Sequence, residues 1–214
     1  MKERKFRKLW SAICLLAAFV LWTAAVQFLD VQAIGPQGSC IGLAAINGFW
    51  HEIIGVNWML YVITDWLGLI PLGVVLLFAM LGLHQWVTRK DLRKVDTDIL
   101  ILGGYYLAVL AVFLFFEMVK INYRPVLIDG HLETSYPSST TLLVLCVMPT
   151  ALMQLQTRLK RRGKMLGRII TVFGVFMVIG RVLAGVHWLT DIIGGMLLSA
   201  GLVMLYGFLC DQVT

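Results

Sequence analysis

Near the end of the chain a histidine and an aspartate stand four residues apart, His187 and Asp191, and Arg181 precedes the histidine by six. Four residues is about one helical turn, so on a helix the two side chains share a face and can touch. An aspartate that accepts a hydrogen bond from one imidazole nitrogen fixes the tautomer and frees the other nitrogen as a nucleophile. A guanidinium beside that nitrogen points to phosphate, because its planar fork pairs with two phosphate oxygens at once. Gly185, between Arg181 and His187, permits the chain to bend there.

Further phosphate-type ligands lie upstream. Arg124 offers a second fork, and Lys120 stands four residues before it. Pro137-Ser138-Ser139-Thr140 opens an apolar run. Pro, Ser and Thr are favoured at helix starts, where unpaired N–H groups make an anion site. Each feature has an ordinary alternative. Arg124 could pair with Glu117, Asp129 or Glu133, the Ser/Thr run could merely cap a helix, and His187–Asp191 could be a polar joint at a helix end. Two arginines, a helix start and an oriented histidine together describe a phosphate cradle with a nucleophile.

The elements that must position these residues are membrane helices. Of the 214 residues 59% are hydrophobic and 14% charged, whereas a soluble domain carries roughly a quarter charged residues. Runs of about 20 apolar residues suffice to span a bilayer. Six such runs are present: Trp10–Phe28, Trp66–Trp86, Ile99–Val119, Thr141–Leu155, Ile169–Ala184 and Ile192–Leu209. The last three are the shortest, and two of them are expected to draw on flanking residues. Between the first two, Ile41 to Ile54 mixes Trp50, His51 and Glu52 with apolar residues, which suits a helix lying in the membrane interface. The chain reads as one all-α, polytopic domain, residues 1–214, without linker or repeat.

Charge placement sets the expected topology. Fifteen of the 18 basic residues fall in three clusters: Lys2 to Lys8, Arg89 to Lys94, and Arg158 to Arg168. Basic loops are retained in the cytoplasm, so a six-span chain has both termini there, in a cell membrane. The net charge of +6 is thereby spent on orientation and lipid headgroups, and no nucleic-acid partner is expected. The basic, then apolar, N-terminus reads as an uncleaved anchor rather than a signal peptide, since it is long and lacks a small-x-small site. Lys120, Arg124 and Arg181 are the exceptions, at the extracytoplasmic ends of spans, where an anion would account for them. The four cysteines (Cys14, Cys40, Cys146, Cys210) lack metal-ligand spacing, so neither a disulfide framework nor a metal site is expected.

Order and spacing of these residues resemble the signature of the type 2 phosphatidic-acid phosphatase superfamily: K-x6-R-P, then P-S-G-H, then S-R-x5-H-x3-D. Its membrane members are six-helix lipid phosphatases. In the third motif Arg181, His187 and Asp191 fall in register, with Gly180 in place of Ser. The first keeps Arg124-Pro125 but has Glu117 at the Lys position, with Lys120 one turn away. The second keeps Pro137-Ser138 but has Ser139 for Gly and Thr140 for His. The resemblance implies that His187 attacks phosphorus to form a phosphohistidine, that Asp191 orients it, and that Arg181 and Arg124 hold phosphate oxygens. Ser138, Ser139, Thr140 and Lys120 would complete the phosphate site, with Glu117 and His131 as supporting groups. No metal or other cofactor is implied.

In the family the histidine now replaced by Thr140 protonates the leaving oxygen, and threonine has no useful pKa for that work. A monoester expels an alkoxide, whose conjugate acid resembles water at about pKa 15.7. A diphosphate expels a phosphate monoester, whose second pKa is about 6, and this leaves unprotonated. The expected activity is therefore a metal-independent phosphatase acting on a phosphorylated lipid, with polyprenyl diphosphate favoured over phosphatidic acid or phosphatidylglycerol phosphate. The alternative is a family member impaired in turnover that binds or transports such a lipid. The sequence leaves the oligomeric state open.

Overall fold

The computed structural model describes residues 2–159 and 163–213, and Lys160, Arg161 and Arg162 of the third basic cluster lie outside them. The described residues form eight α-helices: α1 Lys2–Phe28, α2 Ala44–Ile54, α3 Trp58–Leu67, α4 Leu69–Arg89, α5 Thr97–Met118, α6 Ser139–Leu159, α7 Gly163–Ala184 and α8 Leu189–Val213. Six stretches are long and apolar enough to cross a membrane, at Lys5–Phe28, Trp58–Arg89, Thr97–Met118, Ser139–Gln156, Lys164–Ala184 and Leu189–Val213.

Burial is inverted relative to a soluble protein. Leu21, Leu76, Leu107 and Val172 are exposed, while Asn47, Thr64, Asn122, Gln154 and Ser199 are buried. Lipid accepts the apolar outside, and the polar groups must find one another inside. The same holds for α2, whose Ile46, Phe49 and Ile53 are exposed while Asn47 donates to Gly42 C=O and Thr190 Oγ1, both at 2.9 Å.

The second span starts eight residues earlier than the hydropathy run Trp66–Trp86, because α3 leads directly into α4. Asn57 caps α3 by accepting from Leu60 N–H at 3.0 Å, and Gly68 at the junction donates to Thr64 and Asp65 C=O, both at 3.0 Å. Pro71 falls in the first turn of α4, where a missing N–H costs nothing. In α6, Pro149 sits mid-helix, and Thr150 Oγ1 donates to the Cys146 and Val147 carbonyls at 2.7 and 3.0 Å, adding partners in the turn that the proline disturbs.

Helix α8 is the centre of the bundle. It runs antiparallel to α1 along its length, tied by Trp22 Nε1 donating to Thr190 C=O at 3.0 Å at one end and by the Lys8–Asp211 ion pair at 2.7 Å at the other. Gln154 of α6 donates to Tyr206 of α8 at 2.6 Å. The basic clusters of residues 2–8 and 89–94 lie at one end of the bundle. The turns holding Arg124, Ser138 and His187 lie at the opposite end, as the alternating direction of the helices requires.

Candidate active site

Four segments meet at that second end. The stretch between α5 and α6 folds into a narrow hairpin, with Tyr123 bridged to Thr134 and Ile128 to His131. Its tip is Asp129-Gly130, both with positive φ, as a two-residue reversal demands. Trp188 Nε1 donates to Tyr123 C=O at 2.7 Å and fastens the hairpin to the start of α8. The α7–α8 turn passes through Gly185 at φ +65°, where an added Cβ would lie 1.8 Å from Gly55 C=O. Only glycine fits that close approach, and it sets where His187 sits.

His187 is buried in this turn, two residues before α8 begins, so it does not share a helix face with Asp191 as its spacing predicts. The two side chains are joined through a third. Ser135 Oγ lies 3.0 Å from His187 Nδ1 and donates to Asp191 Oδ2. Asp191, at the first turn of α8, also accepts from Asn122 Nδ2 at 3.2 Å and from Trp188 N–H at 3.0 Å. The second contact is the return half of a capping box.

These bonds assign the tautomer of His187. Arg181 Nη2 lies 3.3 Å from Nε2 and is only a donor, so Nε2 accepts. The ring proton is then on Nδ1, facing Ser135 Oγ at 3.0 Å and Ser135 C=O at 3.2 Å. Burial, then the charges of Arg124 and Arg181, push the His187 pKa well below the ordinary histidine value, against a weaker opposite pull from the Ser135 carbonyl. The ring is neutral at pH 7, with its lone pair turned to a guanidinium.

Arg181 is almost wholly buried. Its Nη1 donates to Thr64 Oγ1 at 3.3 Å and lies 3.8 Å from Asp65 Oδ1, and its guanidinium stands 5.2 Å over the Tyr61 ring. Arg124 Nε lies 3.1 Å from Glu133 Oε2, off the direction of a hydrogen bond. Arg124 Nε and Nη1 and Arg181 Nε are buried without a hydrogen-bond partner among the described residues. Buried guanidinium donors left unpaired are costly unless an anion completes them. The arrangement can therefore hold an anion against the Nε2 lone pair.

The other residues singled out in the sequence take varied places. Ser139 and Glu117 line a small cleft together with His187 and Ser135. Glu117 accepts from Thr134 Oγ1 at 3.0 Å. Ser138 is sealed off: its N–H donates to Asp191 C=O at 3.1 Å and its Oγ accepts from Thr141 Oγ1 at 3.1 Å. It ties α6 to α8, which leaves the N–H groups of Ser139, Thr140 and Thr141 as the helix-start donors. Thr140 points into a neighbouring groove instead of the cleft. Lys120 is exposed just beyond α5, and His131 is exposed beside the hairpin tip and lines neither cleft at His187.

Ser135, Asn122, Thr64 and Asp65 were not singled out by sequence reasoning. Asn122 lies between Lys120 and Arg124, and Thr64 and Asp65 interrupt an apolar stretch, a pattern that marks polar residues worth explaining in a membrane segment.

The groove is a cavity of about 990 Å³, walled by α4, α5 and α6. It runs from Asp65, Ser139 and Thr140 at the site to Trp86, Leu92 and Val95 near the far end, and is otherwise lined by apolar side chains.

Comparison with known proteins bears on the fold and the family. The chain resembles, at 20% identity and a TM-score of 0.60, the crystal structure of a transmembrane PAP2 type phosphatidylglycerolphosphate phosphatase from Bacillus subtilis, over 96% of this chain and 98% of that one. At that identity the likeness speaks for the fold. No curated protein sequence matches significantly. The model of the PAP2 superfamily matches residues 72–210, which hold α5 to α7 entire and nearly all of α4 and α8, and this multi-pass membrane chain belongs to that superfamily.

Proposed function

We propose that the chain is a phosphatase for a phosphorylated membrane lipid, with His187 as the nucleophile and a lipid diphosphate, such as a polyprenyl diphosphate, as the favoured substrate. The observation that carries the reading is the bonding of His187: Nδ1–H held by Ser135, Nε2 facing Arg181, and unpaired guanidinium donors of two arginines beside it.

On this reading the terminal phosphate sits between Arg124, Arg181 and the start of α6. His187 Nε2 attacks phosphorus while the bond to the bridging oxygen breaks and that electron pair leaves with the lipid monophosphate. The imidazolium charge that develops faces Ser135 and, through it, the Asp191 carboxylate. The two guanidinium groups supply the positive charge, so no metal is required. Thr140 offers no proton to the leaving group, and a lipid monophosphate needs none. General acid help is typically worth about 10²–10⁴-fold, so its loss weighs on monoesters far more. The 990 Å³ groove beginning at Ser139 and Thr140 suits a hydrocarbon tail that comes in sideways from the bilayer. The basic clusters at the other end would hold that end in the cytoplasm, which turns the site to the extracytoplasmic side.

The test is inorganic phosphate release from lipid mono- and diphosphates of the same chain, with and without chelator, for wild type, His187→Ala and Thr140→His. The expected order is diphosphate over monophosphate, no turnover for His187→Ala, and a gain on the monophosphate alone for Thr140→His. Faster turnover of the monophosphate by wild type refutes the substrate assignment. Tight lipid binding with no product from either substrate would instead favour a binding or transport protein, the reading motivated by Thr140.

A further inference from the structure

A two-step reaction through His187 must end with water attacking the phosphohistidine, and some group has to take that water's proton. Asp191 cannot: it is fully buried, bonded to Asn122, Ser135 and Trp188, and separated from the phosphate side of the ring by Ser135. Glu133 lies against Arg124, Glu117 is held by Thr134, and Thr140 has no basic group. His51, half-buried on α2, packs edge-on against the Trp188 ring at 5.3 Å and lines a separate cleft behind His187.

Asp65 remains. Its side chain is 59% exposed, and Oδ1 lies 3.8 Å from Arg181 Nη1, while Nη2 of the same guanidinium faces His187 Nε2 at 3.3 Å. One planar fork therefore has the carboxylate at one terminal nitrogen and the nucleophile at the other, and a phosphate gripped by the fork lies between them. Asp65 shares the mouth of the groove with Ser139 and Thr140, and Thr140 Cγ2 approaches the α3–α4 junction closely, 3.6 Å from where a Cβ on Gly68 would be.

Two departures from the family pattern fit this placement. Thr140 leaves the mouth without an imidazole. Gly180, in place of Ser, lets α3 come near, since a Cβ there would lie 2.7 Å from Thr64 Cγ2. Thr64 and Asp65 are neighbours on α3, so the same close approach brings the carboxylate to Arg181.

We propose that Asp65 is the general base of the second half-reaction, the group that activates water against the phosphohistidine; this rests on the reading of His187 as nucleophile. Asp65 takes one proton from water as the water oxygen bonds to phosphorus. The P–N bond breaks, its electron pair returns to Nε2, and neutral Nδ1–H imidazole is restored. Inorganic phosphate leaves and carries off the proton that Asp65 took. No proton on Nε2 is needed at any point.

The experiment is a rapid-quench measurement on the full chain in detergent, using farnesyl diphosphate with a radiolabelled terminal phosphate. Phosphohistidine and free phosphate are followed together in wild type, Asp65→Asn and Asp65→Glu. Asp65→Asn is expected to form label at a rate within about threefold of wild type and to hydrolyse it at least about 100-fold more slowly, so that acid-labile label accumulates. Asp65→Glu should recover part of the hydrolysis rate, and adding Thr140→His to Asp65→Asn should recover it in another way. Label that hydrolyses in Asp65→Asn as fast as in wild type overturns the proposal. Equal slowing of both steps also overturns it, because Asp65 would then only be positioning Arg181. Absence of both label and free phosphate in wild type is a different failure, and it removes the nucleophile assignment itself.

Discussion

Ser135→Ala isolates the link between His187 and Asp191 while leaving every proposed phosphate ligand in place. Ser135 Oγ touches Nδ1 at 3.0 Å and donates to Asp191 Oδ2. Truncation removes both bonds, yet the Ser135 carbonyl still receives Nδ1–H at 3.2 Å, and Asp191 keeps Asn122 and Trp188 as donors. The tautomer therefore survives in part and the chain should fold. What is lost is the path by which imidazolium charge reaches a carboxylate. A hydrogen bond involving a charged group is worth about 1.5–3 kcal/mol, and about 1.4 kcal/mol is a factor of ten in rate. The variant should lose roughly 10–150-fold in kcat, with KM changed by less than about threefold, since Ser135 contacts no proposed phosphate ligand. Phosphate release from a lipid diphosphate in detergent micelles measures both constants, and a thermal melt of the same samples checks folding. Ser135→Thr, which keeps the hydroxyl, should retain more activity than Ser135→Ala. A Ser135→Ala enzyme with wild-type kcat, beside an inactive His187→Ala, would show that the carbonyl alone orients the ring and that Asp191 serves only to cap α8.

The lowered pKa of His187 predicts that activity will not fall as pH drops through the ordinary histidine range near 6.5, because the reacting nitrogen stays unprotonated. Stability follows the opposite course. Below pH 6.5 the unfolded chain binds a proton that the folded chain excludes, so the contribution is full above 6.5 and declines as pH falls toward the lowered folded value, by at most about 1.4 kcal/mol per pH unit. A pH series of melts should show this decline in wild type and less of it in His187→Asn, and parallel curves would refute the assignment. Gly185→Ala forces a Cβ toward Gly55 C=O at a positive φ, and should lower both melting temperature and kcat, strain at such a position costing about 1–3 kcal/mol before the clash is counted. Gly103 borders the groove with open space where a Cβ would stand. Gly103→Phe should raise KM for a long polyprenyl diphosphate at least about tenfold while sparing farnesyl diphosphate; equal effects on both chains would place the tail elsewhere.

Much of the bundle could be read directly from hydropathy. A bilayer demands about 20 apolar residues per crossing, and each of the six runs proved to be the core of a span. The largest shift was in the second span, where Asn57 caps a helix that starts at Trp58, eight residues before Trp66, and leads through Gly68 into α4. Thr64 and Asp65 interrupt the apolar signal there, and they do so because they face Arg181 rather than lipid. The spacing of Arg181, His187 and Asp191 foretold their meeting for a similar reason: all three lie within one turn and the helix ends on either side of it, where separation along the chain bounds separation in space.

What the sequence by itself determined is the solvent this chain folds in, the number of its crossings and the closeness of Arg181, His187 and Asp191 at one end of the bundle, since composition and short spacings carry that information. Which atoms meet was decided only by the tertiary structure. Ser135 reaches His187 across 52 positions, Asn122 reaches Asp191 across 69 and Thr64 reaches Arg181 across 117. No periodicity links residues so far apart. They converge because buried polar groups in an apolar bundle have no water to turn to and must satisfy one another.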